Sequence, residues 1–293
     1  MIFWRGHCKL RGHFLRVFMK FLLLLLLVVQ LEAFRDLSFE DSMKNSKGYD
    51  PTYAEVDKGW QLIKETYNAY KKDFVWNPDY LIPKNIHIIW LGSPLPDDCR
   101  KKVETWKRFH PDWKVRVWTD RDLDWFNLVN DEAYDRSSNY GEKSDIFRYE
   151  ILYRYGGLYV DTDFECVKPF DDLHKSCEFY TSVAYDKVPV LYNGLIGTRA
   201  GHPIIKACMD NIKTGNGDWD AYRIMEMTGP YYFTRQLLNA VASEGYKGVV
   251  VFPVTVFYPY PSVIEGKTDA EIKHDFLKPE SMALHYWHIS WLK

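Results

Sequence analysis

One stretch, residues 143–163, constrains this chain more than any other. Ile146, Phe147, Ile151, Leu152 and Tyr155 recur at helical spacing, so residues 143–155 predict a helix with an apolar side. Gly156-Gly157 stops it, because glycine accepts the left-handed backbone at a helix C-terminus. Leu158-Tyr159-Val160 is then a short apolar run bounded by turn residues, the mark of a buried strand. Asp161-Thr162-Asp163 closes that strand.

The surrounding chain repeats the strand-and-helix theme. Asn85-Ile86-His87-Ile88-Ile89-Trp90 is a β-branched, apolar strand ended by Gly92, Pro94 and Pro96. Residues 97–109 predict a helix stopped by His110-Pro111, residues 114–118 an alternating strand, and residues 120–130 a helix capped by Thr119 or Asp120. Further strands are expected at 179–183, 195–197 and 248–252, and helices at 203–212 and 231–242. Strands alternating with helices imply an α/β fold with a mostly parallel sheet. Ligands of such sheets sit beyond the carboxyl ends of the strands, where the paired aspartates fall.

Residues two apart share a face of an extended strand, and a turn at its end can aim both carboxylates at one point. Two carboxylates about 4 Å apart repel by roughly 4 kcal/mol at an effective dielectric near 20, so the pair needs a proton, a base or a cation. A hard divalent ion is the economical partner for oxygen ligands. Such an ion suits the departure of a diphosphate from a nucleotide-sugar, because it neutralises the charge that develops there. A bare Asp-x-Asp is a weak signal, often a solvated loop. Its context strengthens it: the preceding helix also carries Asp145 and Arg148, three apart on one face.

The ends of the chain bear on location. Arg5, Lys9, Arg11, Arg16 and Lys20 precede an apolar run at residues 21–29, the pattern of a signal sequence or signal anchor. Residues 14–31 reach spanning length if Arg16 and Lys20 snorkel to the interface. Leu31-Glu32-Ala33 is a poor cleavage site, which favours an anchor over a cleaved peptide. The basic flank would then stay cytosolic, giving a single-pass type II protein of the Golgi or ER with its body in the lumen; secretion after cleavage is the alternative. Residues 32–80 are expected to form a stem and a helix, with an amphipathic face of Trp60, Ile63, Tyr67 and Tyr70, and residues 81–293 the catalytic domain. Cys99, Cys166, Cys177 and Cys208 could pair as disulfides in such a compartment, in three ways that the sequence does not separate. A net charge of -2 gives no basic stripe for nucleic acid.

The motif in its setting is familiar. Ser144-Asp145-Ile146-Phe147-Arg148-Tyr149, followed by the run from Leu152-Tyr153-Arg154-Tyr155 through Asp161-Thr162-Asp163, resembles the sugar-binding DXD region of glycosyltransferase family 32. That family includes yeast outer-chain and inositol-phosphoceramide mannosyltransferases, and the clostridial toxin glucosyltransferase domains share its elements. Asn193, Gly201-His202-Pro203, Thr228-Gly229-Pro230 and the C-terminal Ala283-Leu284-His285-Tyr286-Trp287-His288-Ile289-Ser290-Trp291 match in kind and order. The resemblance implies a GT-A nucleotide-sugar-binding fold and retention of anomeric configuration. It places Trp90 against the nucleotide base and Tyr159 in the nucleotide pocket. Asp145 and Arg148 would contact the donor, Asp161 the ribose and the metal, and Asp163 the metal directly. Ser290 and Trp291 would close over the diphosphate, Asn193 would face the donor or acceptor sugar, and His285 is a candidate metal or phosphate contact. Relatives often have His-His-x-x-Gly-Ser-Trp at this end; here Tyr286 and Ile289 replace the second histidine and the glycine.

The expectation is therefore a glycosyltransferase dependent on Mn²⁺ or Mg²⁺. It would move a hexose from GDP-mannose or a UDP-hexose to a glycan or glycolipid acceptor. A membrane-tethered, nucleotide-sugar-binding or lectin-like inactive homologue is the rival. A haloacid-dehalogenase-like phosphatase also places Asp-x-Asp after a strand, but its usual Thr or Val two residues on is Glu165 here.

Overall fold

The computed structural model describes residues 37–288 apart from residues 45, 47, 185–187, 216–219, 246 and 263–265. Eight strands are present among these: β1 (Asn85–Ile89), β2 (Lys114–Trp118), β3 (Gly157–Val160), β4 (Phe164–Cys166), β5 (Phe179–Ser182), β6 (Leu195–Thr198), β7 (Val249–Phe252) and β8 (Ala283–His285). Six of them make one sheet in the order β2-β1-β3-β6-β5-β7, while β4 and β8 form a separate antiparallel pair. β1 runs parallel to β2 and β3, and β5 parallel to β7. Only β6 opposes its neighbours in that sheet. The α/β fold with a mostly parallel sheet is thus observed, and the carboxyl ends of β1 and β3 share an edge.

The helices that matter to the site are α1 (Lys58–Lys72), α2 (Asp97–Phe109), α3 (Tyr140–Tyr155), α4 (Pro203–Asp210), α5 (Ala221–Met227), α6 (Pro230–Glu244) and α7 (Asp269–Phe276). α3 begins three residues earlier than the apolar periodicity suggests, because Asn139 caps it: its side chain accepts from the N–H groups of Gly141 and Glu142. It is also buried nearly all round, with Glu142, Asp145, Arg148 and Glu150 enclosed together with Ile146, Phe147 and Ile151. A stripe was expected; the buried polar residues instead satisfy one another or nearby backbone. Glu150 accepts from the N–H groups of Val129 and Asn130 and from the Asn130 side chain.

At the stop, Gly156 and Gly157 have φ of 58° and 107°. A β-carbon on Gly157 would lie 2.6 Å from the carbonyl oxygen of Asn85, so glycine lets β3 close against β1.

Three expectations are corrected. The helix expected at 120–130 is only the single turn Asp120–Leu123, opened by a capping box between Thr119 and Asp122, and a second short helix, Asp131–Arg136, follows beyond that range. The four described cysteines are buried free thiols, not disulfides. The polar stretch read as a stem contributes to the core from Phe39 onward: Phe39, Met43 and Ala54 are buried. α1 then packs on the sheet edge, where Thr66 Oγ1 accepts from the Val251 N–H of β7 and Tyr67 meets Phe252 edge-on. Composition suggested a linker because these few apolar residues are spread thinly; each is nevertheless used. The described residues from Phe39 onward form one compact unit. The anchor expected at residues 1–31 lies outside the described residues. No helix among the described residues is long and apolar enough to cross a membrane.

Candidate active site

β3 delivers Asp161 at its carboxyl end, and the chain turns at once: the Phe164 N–H donates to the Asp161 carbonyl at 3.1 Å. That turn carries Asp163 inward. β4 then pairs with β8, setting Phe164 opposite His285. α2 fixes the far side of β4, since the Trp106 indole N–H donates to the Phe164 carbonyl and the Cys166 N–H to Thr105 Oγ1. Residues 122 apart in sequence are thereby brought into contact: His285 Nε2 lies 3.0 Å from Asp163 Oδ1.

Asp161, Asp163 and His285 each offer one ligand atom, and these atoms all lie within 4.8 Å of one another. Two carboxylates that close repel by roughly 3 kcal/mol or more at an effective dielectric near 20. The protein offsets part of this. Arg148 Nη1 stands 3.4 Å from Asp161 Oδ1, and the Tyr159 hydroxyl donates to the same oxygen at 2.7 Å. Asp163 is buried, which by itself favours the neutral acid. The His285 charge, its hydrogen bond and the N–H of His288, 2.7 Å from Asp163 Oδ2, outweigh burial and hold the carboxyl below its ordinary range. The donor set suits a hard divalent cation: two carboxylates and an imidazole. His285 Nδ1, the ring nitrogen not facing Asp163, is buried without a hydrogen-bond partner, a costly state for an imidazole nitrogen.

Behind the cluster lies a polar network. Asp145 is 6% exposed. Its Oδ1 accepts from Asn193 Nδ2 at 2.8 Å and faces Arg148 Nη2 at 3.1 Å, and its Oδ2 accepts from the Thr228 hydroxyl at 3.1 Å. Burial raises its pKa to about 6, against the pull of Arg148 and Asn193. Arg148 also donates to the carbonyls of Ser144 and Asn193 and lies over the Tyr159 ring at 4.5 Å. Tyr149 joins the network: its hydroxyl donates to the Thr228 carbonyl and accepts from Asn193.

Of the residues picked out by sequence, Asp161, Asp163 and His285 meet at one point. Asp145, Arg148, Tyr159 and Asn193 form the wall behind them. Trp90 follows β1 at the same sheet edge, half-buried, with its indole N–H donating to Ser93. Ser290 and Trp291 lie outside the described residues. Sequence reasoning missed Tyr149 and the hydroxyl of Thr228, although Tyr149 directly follows Arg148 and Thr228 opens a recognised Thr-Gly-Pro. It also missed the His288 N–H, for which a backbone donor leaves no side-chain signal.

Residues 96–180 match the family described as glycosyltransferase sugar-binding region containing DXD motif. The chain carries that sugar-binding region. The matched span includes α2, α3, β3, both aspartates of the cluster and β4, while His285 lies outside it. Among curated proteins, inositol phosphoceramide mannosyltransferase 3 of Schizosaccharomyces pombe is 27% identical over 57% of this chain and 48% of its own length. A mannosyl phosphorylinositol ceramide synthase of Saccharomyces cerevisiae is 30% identical over 57% of this chain and 45% of its own length. The chain thus spans about half the length of these relatives. Among solved structures, the PaToxG glycosyltransferase is similar with a TM-score of 0.47 and 20% identity, over 63% of this chain and 78% of that one.

Proposed function

We propose that this chain is a metal-dependent, retaining glycosyltransferase of the GT-A kind that takes a hexose from GDP-mannose or a UDP-hexose. The observation that carries this reading is the convergence of Asp161, Asp163 and His285 at the carboxyl edge of the sheet. The matched sugar-binding region and the mannosyltransferase relatives support it. Relatives named for inositol phosphoceramide make a glycolipid the favoured acceptor class, with a glycan next. The basic, apolar N-terminus supports a type II membrane protein of the Golgi or ER.

In this reading Asp163 and His285 would hold Mn²⁺ or Mg²⁺ with Asp161, and a cation bound there would supply positive charge to the diphosphate leaving group. Arg148, pinned by Asp145 and two carbonyls, fixes Asp161 and presents positive charge to the donor. Tyr159 supports Arg148 from below and orients Asp161. Trp90 stacks on the base, and Asn193 and Asp145 face the donor sugar. Ser290 and Trp291 close the site. The acceptor attacks from the face the diphosphate leaves, which retains configuration.

Asp163→Ala tests this directly. Mn²⁺-dependent hydrolysis of the donor sugar should fall by on the order of 100-fold or more, the equivalent of several kcal/mol of charge stabilisation. NMR of the wild-type product should show the donor's anomeric configuration. Undiminished hydrolysis in Asp163→Ala would place the cation elsewhere, and an inverted product would overturn front-face attack.

A further inference from the structure

Tyr286 stands where relatives often have a second histidine, and its side chain does not join the cation cluster. The next residue along a strand faces the other way. While His285 turns to Asp163, the Tyr286 hydroxyl donates to Glu165 Oε2 at 2.8 Å and its ring lies 4.2 Å from Lys102 Nζ. Lys102 is a lysine whose side chain is only 6% exposed, and its ammonium donates to Asp98 Oδ2 at 2.7 Å. A buried ammonium is costly unless paired, and here a carboxylate and an aromatic face share it. Glu165 Oε1 in turn meets Lys273 Nζ of α7 at 2.7 Å. Tyr286 also packs with Tyr260, Ile272 and Leu284.

This chain of contacts spans the outside of the β4–β8 pair. Each strand has three residues, too few to hold its own register firmly. Glu165 lies two residues after Asp163, and Tyr286 one after His285. A link from Glu165 to Tyr286 therefore sets the distance between two segments that carry candidate cation ligands. The Tyr286 N–H adds to this, donating to the Asp163 carbonyl at 3.2 Å.

We infer that Lys102, Tyr286 and Glu165 are positioning residues for the cation site: they hold His285 against Asp163 without touching the cation. The inference rests on the metal-dependent reading above. Loss of such outer contacts lowers metal affinity by about 10-fold or more in known sites. Mn²⁺ binding to the full-length chain, followed by electron paramagnetic resonance, should weaken about 10-fold in Tyr286→Phe. Lys102→Met should weaken it in the same direction. Glu165→Gln, whose side-chain carbonyl still accepts from the tyrosine, should stay nearer wild type than Tyr286→Phe. Binding of GDP and UDP without metal should be unmoved in all three, and circular dichroism should show each variant folded. Wild-type Mn²⁺ affinity in a folded Tyr286→Phe overturns this inference alone. Equal losses of Mn²⁺ and metal-free nucleotide binding also overturn it, since they indicate general loosening. A wild-type chain that binds no Mn²⁺ overturns the metal reading and this inference together.

Discussion

Gly194 leaves Asp161 its place. A β-carbon there would lie 2.5 Å from Asp161 Oδ2, closer than any real contact, and no positive φ complicates the substitution. The residue also holds the Asp161 backbone, whose N–H donates to the Gly194 carbonyl at 2.8 Å. Gly194→Ala should therefore fold while pushing the Asp161 carboxylate off its position. Mn²⁺ affinity and donor hydrolysis are expected to drop together, by about 10-fold or more, with a small change in melting temperature. Full Mn²⁺ affinity in that variant would show that Asp161 is not confined as the geometry indicates. Trp287 is a second residue with a positional demand. Among the described residues it is the one non-glycine with positive φ, at 58°, a conformation that costs a bulky side chain on the order of 1–3 kcal/mol. Its indole N–H donates to the Tyr260 carbonyl at 2.7 Å and its ring meets His285 edge-on, contacts that offset the cost. The turn it makes brings the His288 N–H to Asp163.

The element that organises the site is the helix–glycine–strand unit of α3 and β3. Gly157→Ala would force a side chain into a left-handed backbone and drive its β-carbon to 2.6 Å from the Asn85 carbonyl of β1. Overpacking and backbone strain together should destabilise by about 3 kcal/mol or more. At about 2–4 °C per kcal/mol for a domain of this size, calorimetry should find melting lowered by roughly 6–12 °C. A shift of a degree or two would mean that β1 and β3 part easily. The same unit explains what was legible beforehand. Its apolar spacing, its two glycines and its aspartates are local, so sequence located α3, β3 and the donor wall of Asp145 and Arg148. The match of His285 to Asp163 was only a suspicion carried by resemblance, because it depends on β4 pairing with β8 across more than a hundred residues. The stem was misjudged for a related reason: Phe39 and Met43 find partners only when the distant sheet edge exists. The break after Leu123 escaped because apolar spacing marks which face of a helix is buried and not where the chain leaves the helix; the next helix starts afresh at Asp131.

At the scale of the whole molecule, imidazoles buried without charge shape the response to acid. His87 sits under the Gly156 carbonyl and accepts from the Trp118 indole, and burial lowers its pKa to about 4. His202, at the N-terminus of α4, is lowered to about 4 by burial and then by Arg199. His110 and His174 are lowered too, chiefly by burial. Each is depressed in the folded state relative to the unfolded chain, where an imidazole titrates near 6.5. Between about pH 6.5 and pH 4 the unfolded chain therefore binds more protons, and stability falls as pH falls. His87 alone accounts for about 3 kcal/mol across that window. Asp145 works in the opposite direction: its folded pKa of about 6 lies above the usual carboxylate value, so between about pH 6 and 4 its extra proton favours the fold. Glu142 and Asp172, also raised by burial, act with Asp145; against these three carboxyls stand four depressed imidazoles and the lowered carboxyl of Asp163, which leaves the acid-sensitive groups in the majority. Urea unfolding midpoints should drop steadily from pH 7 to pH 4.5, with net proton uptake on unfolding near pH 5. His87→Gln keeps a polar contact to Gly156 but cannot take the proton, so its midpoint should depend less steeply on pH than the wild type's. A midpoint that holds level or rises on acidification would mean that these imidazoles carry charge in the folded protein. The hydrogen bonds that join β1, β2 and α3 through His87 would then need to be redrawn with a second donor.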